Sequence, residues 1–394
     1  MKLTNYSCYL LSLFFFKVGV GAILLATGWD SLTLSDDSLI NVTIIMALSF
    51  TPAAFVRPIF KRLNNFSISH ISSLGLCIAS ILVILEYMLM EVHMVSMFAI
   101  NFILWIIIFI IEVACEKWYV FLSQDNNLQQ TRKLSAISTG TAQIGIITGP
   151  LTVILTKPYS NAFPYGIICL SFIVAAVFSI ISIWSNTRNI SLLQNGAGVK
   201  SKLSKKRFSY ILGFGLIWPT LTIYNLSIPI LGNYQFQSIN VAGGLEMLIA
   251  LSMVIAGFMH PIIMNNAQNK YKNILVFASL FLASISAYVW HSSLIHVVVS
   301  VFAVGFCFGY FRIELRAYLS KSFSALEAGE IISTANSLGG ILVVAYAFLF
   351  YINNIIEMRD GLTLAFPISF IVFGLAVLYV LNYESNSRLA GTQA

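Results

Sequence analysis

The sequence has very few charged residues. Only 9% of its 394 residues are Asp, Glu, Lys or Arg, whereas 58% are hydrophobic. A water-soluble globular domain carries roughly 25% charged residues. The mean hydropathy of +0.86 agrees with this imbalance. So small a charged fraction excludes a soluble globule and indicates a polytopic membrane protein.

Cysteine is scarce and dispersed. The five cysteines stand singly in apolar runs, at Cys8, Cys77, Cys115, Cys169 and Cys307, with no CxxC pair and no His at ligand spacing. Such a distribution favours small apolar packing residues over a disulfide framework or a metal site. We therefore expect neither a metal ion nor another cofactor.

Motifs for nucleotide binding and hydrolysis are also lacking. The sequence contains no Walker loop, no dinucleotide fingerprint and no catalytic triad, which argues against an ATP-driven pump and against an enzyme. The net charge of +7 is in principle compatible with nucleic-acid binding. However, the cations lie beside apolar runs, so we expect contacts with membrane lipids and none with nucleic acid.

Long apolar runs are what the sequence has in abundance. Twelve of them reach the roughly 20 residues that cross a bilayer. Their approximate limits are 8–28, 39–58, 69–89, 95–118, 134–156, 163–185, 209–231, 241–261, 273–291, 294–316, 329–352 and 361–383. The first run has no small-residue cleavage site before its polar end, so we interpret it as a transmembrane helix and not as a signal peptide.

The cations between these runs alternate in number. If the N-terminus is cytoplasmic, the inside segments hold 16 Lys and Arg residues, and the outside loops hold only Lys157 and Arg359. Cytoplasmic loops of membrane proteins carry such an excess of Lys and Arg. We therefore expect both termini on the cytoplasmic side of a bacterial inner membrane.

A polar, basic stretch without acidic residues, 186–208, divides the spans into six and six. The fifth and eleventh runs share a short pattern, Ile-Ser-Thr at 137–139 and again at 332–334, at an offset of 195. A half-chain repeat of this kind indicates two related bundles. The predicted fold class is an all-α polytopic membrane protein with twelve transmembrane helices in two pseudo-symmetric six-helix bundles. The predicted domains are 1–185, a cytoplasmic linker 186–208, and 209–394.

The chain resembles the major facilitator superfamily. The six-plus-six spans and the basic central loop carry the resemblance over the whole chain. The segment 145–150, Gly-Ile-Ile-Thr-Gly-Pro, resembles the fifth-helix motif of the drug/proton antiporters in that superfamily, without the Gly-Gly that usually follows. The loop 57–66 keeps the basic residues of the superfamily's second loop but lacks its Gly and Asp. The resemblance implies alternating access, with a central cavity lined by the first, fourth, seventh and tenth helices.

Charged and polar residues fall in the helices that the resemblance assigns to the cavity. A mid-membrane lysine needs a polar partner or a watery cavity, so Lys17 is either an anion-binding group or half of a structural ion pair. Aromatic residues in these helices line the cavity or form an interfacial belt. For Gln143 and Asn336, hydrogen bonds between helices are favoured over substrate contact. The predicted substrate-binding residues are Lys17, Glu112, Glu116, Lys117, Arg312, Arg316, Trp218, Tyr224, Asn225, Gln143 and Asn336.

Two further roles are predicted. Carboxyl groups in an apolar environment bind protons more readily, so Glu246, Glu112 and Glu116 are candidates for proton coupling. Glu116 and Arg312 have similar positions in the repeat, and Arg pairs well with a carboxylate, which predicts a gate at the cytoplasmic end. Helix-end anchoring by these charges is the alternative. The gate set also includes Gly145, Gly149 and Pro150, since the glycines allow close helix packing and the proline bends the helix.

The predicted function is secondary active transport by a monomer, with a small-molecule substrate and a proton as partners. The charged cavity favours an anionic or zwitterionic cargo, and the fifth-helix motif favours proton-driven export, as of drugs or carboxylate-rich siderophores. Proton-coupled uptake of an organic anion and a non-transport membrane receptor are the alternatives.

Overall fold

The computed structural model describes residues 2–33, 49–63, 66–90, 94–185, 204–217, 219–221, 239–263, 269–289, 293–355 and 368–383. The secondary structure of this part of the chain is helical, without strands. The helices are α1 Lys2–Thr33, α2 Ala53–Leu63, α3 Ile68–Met90, α4 Met94–Ser123, α5 Leu128–Thr156, α6 Ala162–Ser185, α7 Lys205–Gly215, α8 Ile239–Ile263, α9 Asn269–Val289, α10 Leu294–Ser322, α11 Ala325–Ile355 and α12 Ile368–Tyr383. The predicted all-α fold class is confirmed.

The composition of these helices is that of membrane-spanning segments. Among the described residues, seven helices are long and apolar enough to cross a bilayer. Three others contain shorter apolar stretches, Met247–Ile263, Lys272–Ser286 and Ile368–Tyr383. A helix satisfies its own backbone hydrogen bonds, which is why an apolar chain in hydrocarbon folds this way. The protein is a multi-pass membrane protein.

Several helices continue beyond the apolar runs that predict them. The fourth run was expected to end at 118, but α4 reaches Ser123. The fifth was expected from 134, but α5 starts at Leu128. Hydropathy marks only the apolar part of a helix, whereas Leu, Gln, Lys and Arg are good helix formers in water as well. As a result Arg132, which sequence alone assigns to a loop, lies within α5.

The chain forms two compact units. Unit 1 comprises Met1–Gln124, Ile144–Lys202 and Phe323–Ala347, and unit 2 comprises Asp125–Gln143, Leu203–Ser322 and Phe348–Ala394. The α5 helix therefore contributes its N-terminal half to unit 2 and its C-terminal half to unit 1. Most of the linker predicted at 186–208 lies outside the described residues, so the division into 1–185 and 209–394 stays a prediction.

In unit 1, α1 packs along α6, and α3 packs on both α4 and α6. The contact between α1 and α6 combines polar and aromatic side chains: Ser12 Oγ donates to the carbonyl of Ala175 over 3.0 Å, and the rings of Phe16 and Phe172 lie 6.3 Å apart. Polar side chains that hydrogen-bond between membrane helices hold them in register.

In unit 2, α10 packs on α8 and α9. Two glycines of α10 allow the close approach to α8. A Cβ atom at Gly305 would lie 2.0 Å from Ser252 Oγ, and one at Gly309 would lie 3.0 Å from the Cα of Met253. Small residues spaced by four bring helix backbones together in this way. The α8 and α10 helices therefore form a tightly packed pair.

Candidate functional site

A buried ion pair joins α1 and α4 in unit 1. The Lys17 ammonium donates a hydrogen bond to Oε1 of Glu112. The two side chains are only 7% and 11% exposed, and Lys17 Nζ lies 5.3 Å from the centroid of the Phe16 ring. Lys17 lies in the middle of α1, at about the same distance from both ends of the helix. The sequence singles out both residues as ionisable groups in apolar runs, and the structure brings them into contact.

The glycines of α5 set the position of Lys17. A Cβ atom at Gly145 would lie 2.9 Å from Lys17 Cβ and 2.7 Å from the carbonyl oxygen of Phe14. A Cβ atom at Gly149 would lie 2.4 Å from the carbonyl oxygen of Val18. The α5 backbone thus touches α1 directly on either side of the lysine. Pro150 follows within α5, which continues to Thr156.

Replacing Gly149 with Ala is expected to destabilise the protein, because the new methyl group would clash with the α1 backbone. Backbone atoms, unlike a flexible side chain, cannot relieve the clash by changing rotamer. Overpacking of this kind costs about 1–3 kcal/mol. Thermal unfolding of the detergent-purified protein measures the effect. Gly140→Ala is the matched control on the same helix, since nothing lies within 4 Å of its Cβ position. Equal melting temperatures for both variants would contradict the predicted α1–α5 contact.

A second buried cluster lies in unit 2, where α5, α8 and α10 meet. Its centre is Glu314, whose side chain is 0% exposed. Oε2 of Glu314 accepts a hydrogen bond of 2.9 Å from Arg132 Nη2. Oε1 lies 2.7 Å from Arg132 Nε and 2.8 Å from His260 Nε2, although neither close contact has the geometry of a hydrogen bond. A buried carboxylate is tolerated when cations and hydrogen bonds compensate it.

Tyrosine and amide groups surround this cluster. Arg132 Nη2 donates to the Tyr318 hydroxyl over 3.2 Å. The ring of Tyr310 lies 5.1 Å from that of His260, and its hydroxyl donates to Asn273 Oδ1 over 2.8 Å. The cluster therefore lies in a polar network contributed by α5, α8, α9 and α10.

Residues on either side of Glu314 in α10 are also bound to α5. Arg316 Nη1 donates to Ser138 Oγ over 2.8 Å and to Thr139 Oγ1 over 3.0 Å. Ser135 Oγ donates to the carbonyl of Ile313 over 3.0 Å. Arg316, predicted to bind substrate, thus has hydroxyl partners on α5 that the sequence analysis did not identify.

Lys117, another predicted site residue, is buried in unit 1 with 2% exposure. Its ammonium lies 5.8 Å from the centroid of the Phe60 ring, and its Cδ lies 3.4 Å from the Cβ position of Gly329. Lys117 and Glu314 correspond at an offset of 197, which is also the offset between Leu122-Ser123 and Leu319-Ser320. The two halves therefore place opposite charges at one repeat position, each next to an aromatic ring or imidazole.

The remaining predicted site residues are distributed as follows. Glu116 in unit 1 and Arg312 in unit 2 are half-buried, and their pairing as a gate stays a prediction. Gln143 and Asn336 are each 5% exposed. Glu246 lies in α8, but its side chain is outside the described part of the structure, as are all of Trp218, Tyr224 and Asn225.

The sequence analysis did not identify Arg132 and His260 as site residues. Arg132, next to Lys133, appeared to belong to a cytoplasmic loop, and His260 to the end of a span. The one available signal was Glu314, an acid within the predicted tenth span. Among the described residues, no group of three His, Cys, Asp or Glu side chains is arranged to hold a metal ion.

Solved structures similar to this chain include three transporters. A bacterial homologue of the iron transporter ferroportin, in an outward-facing state with soaked iron, superposes with a TM-score of 0.73 at 10% identity, over 95% of this chain and 98% of that one. The human organic anion transporter MFSD10 (TETRAN) gives 0.69 at 11%, over 95% and 99%. The major facilitator superfamily proton:xylose symporter XylE gives 0.68 at 10%, over 98% and 95%.

Comparison by sequence finds no match. No protein-family model matches the chain, and no curated protein matches it by sequence. The likeness is therefore one of fold, and it extends over nearly the whole length of the chain and of its structural neighbours.

Proposed function

We propose that this chain, which has the fold of the major facilitator superfamily, is a secondary active transporter that exports a polar zwitterionic small molecule in exchange for protons. The observation that carries the proposal is the buried Lys17–Glu112 ion pair between α1 and α4. It provides an anion-binding group and a titratable group in direct contact, in the middle of a membrane helix.

Stability alone does not account for such a pair. Desolvating two charges costs several kcal/mol per ion, and well-packed hydrophobic residues often serve stability equally well or better. Ionisable residues inside membrane helices more often mark a substrate or proton pathway. The Lys17–Glu112 pair is therefore best explained by a substrate or a proton that replaces one member of the pair during transport.

Proton exchange follows because a proton and the cationic group of the substrate compete for the Glu112 carboxylate. A zwitterionic substrate places its carboxylate on Lys17 and its cationic group on Glu112, with Glu116 one helical turn further along the same face. A proton on Glu112 removes the charge that the cationic group needs. Proton and substrate then bind in alternation, which is the requirement for proton-driven export by alternating access.

The same ion pair also supports a second candidate function. If the substrate is a pure anion, protonation of Glu112 releases Lys17, and the anion then binds together with the proton. Joint binding is the requirement for symport, so this substrate class favours proton-coupled uptake. The charge of the substrate and the direction of transport are therefore linked through Glu112.

A proton-release measurement distinguishes the two functions. Comparison of the metabolites released by a deletion strain and its parent supplies candidate compounds. Each is added to purified protein in weak buffer while the pH is recorded. An exported zwitterion is expected to displace a proton, a symported anion to take one up, and Glu112→Gln to abolish either signal. A membrane receptor is supported instead if the deletion strain and its parent release the same metabolites, so that the comparison yields no candidate compound.

The structural neighbours leave the substrate open. They include a homologue of an iron transporter, an organic anion transporter and a xylose symporter. Within this chain, Lys17 together with the acids of α4 favours a cargo with carboxylates, such as a siderophore or a drug-like zwitterion. Glu246 and Glu116 remain candidates for proton coupling, and Glu116 with Arg312 for the gate. The proposed location is the bacterial inner membrane, with both termini cytoplasmic.

A further inference from the structure

We propose that Trp105 of α4, together with the rings of Phe50 and Phe109, forms a second part of the substrate site. This aromatic subsite binds an aromatic portion of the cargo that carries a hydrogen-bond acceptor. The inference rests on the proposed function, because the charged end of the same cargo binds at Lys17 and Glu112. It narrows the substrate class to zwitterions with an aromatic extension.

Three aromatic rings meet in unit 1. The ring centroid of Trp105 lies 6.1 Å from that of Phe50 and 5.8 Å from that of Phe109, and the Phe50 and Phe109 centroids are 6.4 Å apart. Trp105 is only 1% exposed, and it lies well inside α4, which starts at Met94. A tryptophan of an interfacial belt lies at the level of the lipid headgroups. Trp105 is therefore not part of such a belt.

The indole N–H of Trp105 is a buried hydrogen-bond donor. Among the described residues, no group accepts a hydrogen bond from Trp105 Nε1. A buried tryptophan usually has a partner for this group, and an unsatisfied buried donor is costly in hydrocarbon. A phenylalanine would fill an apolar core without that cost. The donor is therefore explained by an acceptor on a ligand that binds among the three rings.

Trp105 shares one face of α4 with Glu112. The two residues are seven positions apart, which is nearly two helical turns, and Phe109 lies between them in the sequence. A helix rises 1.5 Å per residue, so the separation along the helix axis is roughly 10 Å. A cargo whose charged end binds at the buried Lys17–Glu112 pair reaches Trp105 with an aromatic extension. An acceptor on that extension binds the indole N–H.

The backbone beside Phe50 is irregular. Phe50 ends a short helical segment, and a turn at 51–52 separates it from α2. Irregular backbone at membrane depth is tolerated where it is buried in protein or lines a cavity. Helix α11 holds this segment, since Ser337 Oγ donates to the carbonyl of Ala53 over 3.1 Å and a Cβ atom at Gly340 would lie 3.1 Å from the Phe50 carbonyl oxygen. The Phe50 backbone is thus fixed, and a change of its side-chain rotamer opens the subsite to the cargo.

The compound para-benzoylphenylalanine tests the subsite, because it combines an amino-acid zwitterion with an aromatic ketone. The matched compound para-benzylphenylalanine has the same two rings, with a methylene group in place of the ketone. Equilibrium dialysis against the full-length protein in lipid nanodiscs measures both affinities, with binding to empty nanodiscs subtracted. We expect the ketone to bind up to about tenfold more tightly, as one neutral hydrogen bond allows. Equal affinities, or no binding of either compound at about 1 mM, overturn the proposal.

The variant Trp105→Phe locates the acceptor. It keeps an aromatic ring and removes the N–H, so the ratio of the two affinities is expected to fall to about one. This ratio is the readout, since the smaller ring weakens both compounds alike. Trp118→Phe changes the other tryptophan of α4 and is expected to leave the ratio unchanged. A ratio that persists in Trp105→Phe overturns the proposal.

Photolabelling of the unaltered protein gives a measurement that needs no variant, and it decides the matter if Trp105→Phe does not fold. On irradiation, the ketone of bound para-benzoylphenylalanine takes a hydrogen atom from a nearby C–H group, and the two radicals then join. Mass spectrometry of the peptides is expected to find the label in α4 or in the segment 49–63. A label confined to other segments contradicts the aromatic subsite.

The aromatic subsite and the proposed function can fail separately. Lys17→Gln is expected to weaken both compounds by about 30-fold or more, because the carboxylate of the zwitterion loses its charged partner. If the ketone has no advantage but Lys17→Gln has this effect, the aromatic subsite is wrong and the zwitterion site stands. If the advantage depends on Trp105 while Lys17→Gln binds both compounds normally, the subsite stands and the charged end does not bind at Lys17.

Discussion

Replacing Glu314 with Gln is expected to lower the free energy of unfolding by about 3–5 kcal/mol, the usual cost of removing one partner from a buried ion pair. The variant leaves the Arg132 guanidinium buried without the negative charge of the two Glu314 oxygens that it contacts. An arginine cannot escape this cost by losing its proton. Unfolding of the purified protein in increasing concentrations of a denaturing detergent measures the loss.

Two further variants make the interpretation specific. Arg132→Gln combined with Glu314→Gln is expected to recover most of the lost stability, since two neutral amides can hydrogen-bond where the ions were. Lys133→Gln removes a cation one residue away, from an exposed position, and is expected to have an effect within about 0.5 kcal/mol. If the double variant is no more stable than Glu314→Gln alone, the Arg132–Glu314 contact is not the source of the effect.

Replacing Lys17 with Gln is expected to reduce export to the level of the deletion strain. A substrate carboxylate loses its charged partner at a buried position, and such a loss costs about 2–5 kcal/mol. The affinity for the substrate falls by about 30-fold or more, since 1.4 kcal/mol corresponds to a factor of ten. Metabolite analysis of the medium from complemented strains measures the change. Lys61→Gln, at an exposed position of α2, serves as the control.

A charge exchange distinguishes a binding role of Lys17 from a structural one. With Lys17→Glu and Glu112→Lys together, the ion pair between α1 and α4 is retained in reverse. We expect this variant to be more stable than either single charge reversal and still inactive, because the anion-binding group no longer lies on α1. Recovery of transport along with stability would show that the pair is only structural.

The sequence alone was sufficient for the fold. Apolar runs of the length of a bilayer, the alternation of cations between them, and the repeat at 137–139 and 332–334 predict an all-α polytopic protein with two related bundles, and its resemblance to the major facilitator superfamily implies that fold. These signals are readable because a membrane imposes a local rule on every span: the chain must be apolar and helical. The helix ends were less accurate, as α4, α5 and α10 extend into polar sequence that hydropathy does not assign to them.

Part of the candidate site was also visible in the sequence. Lys17 and Glu112 are ionisable residues in apolar runs, and a membrane interior makes such residues conspicuous whatever their partners. That they touch each other was not predicted. Their contact depends on the rotation and register of α1 and α4, and the glycines of α5 that position α1 lie more than a hundred residues away in the sequence.

Only the tertiary structure revealed the cluster of Arg132, His260 and Glu314. Each of the three residues has a commonplace local interpretation, as a loop cation, a span-end histidine and one charge among several. Their chemistry arises because three helices bring Arg132 and His260 within 2.9 Å of the Glu314 carboxylate, and no local pattern encodes such a contact. For this protein, the sequence by itself determined the membrane fold and the presence of buried charge. The tertiary structure decided which charges compensate each other, since pairing depends on how separate helices pack and not on the composition of any one of them.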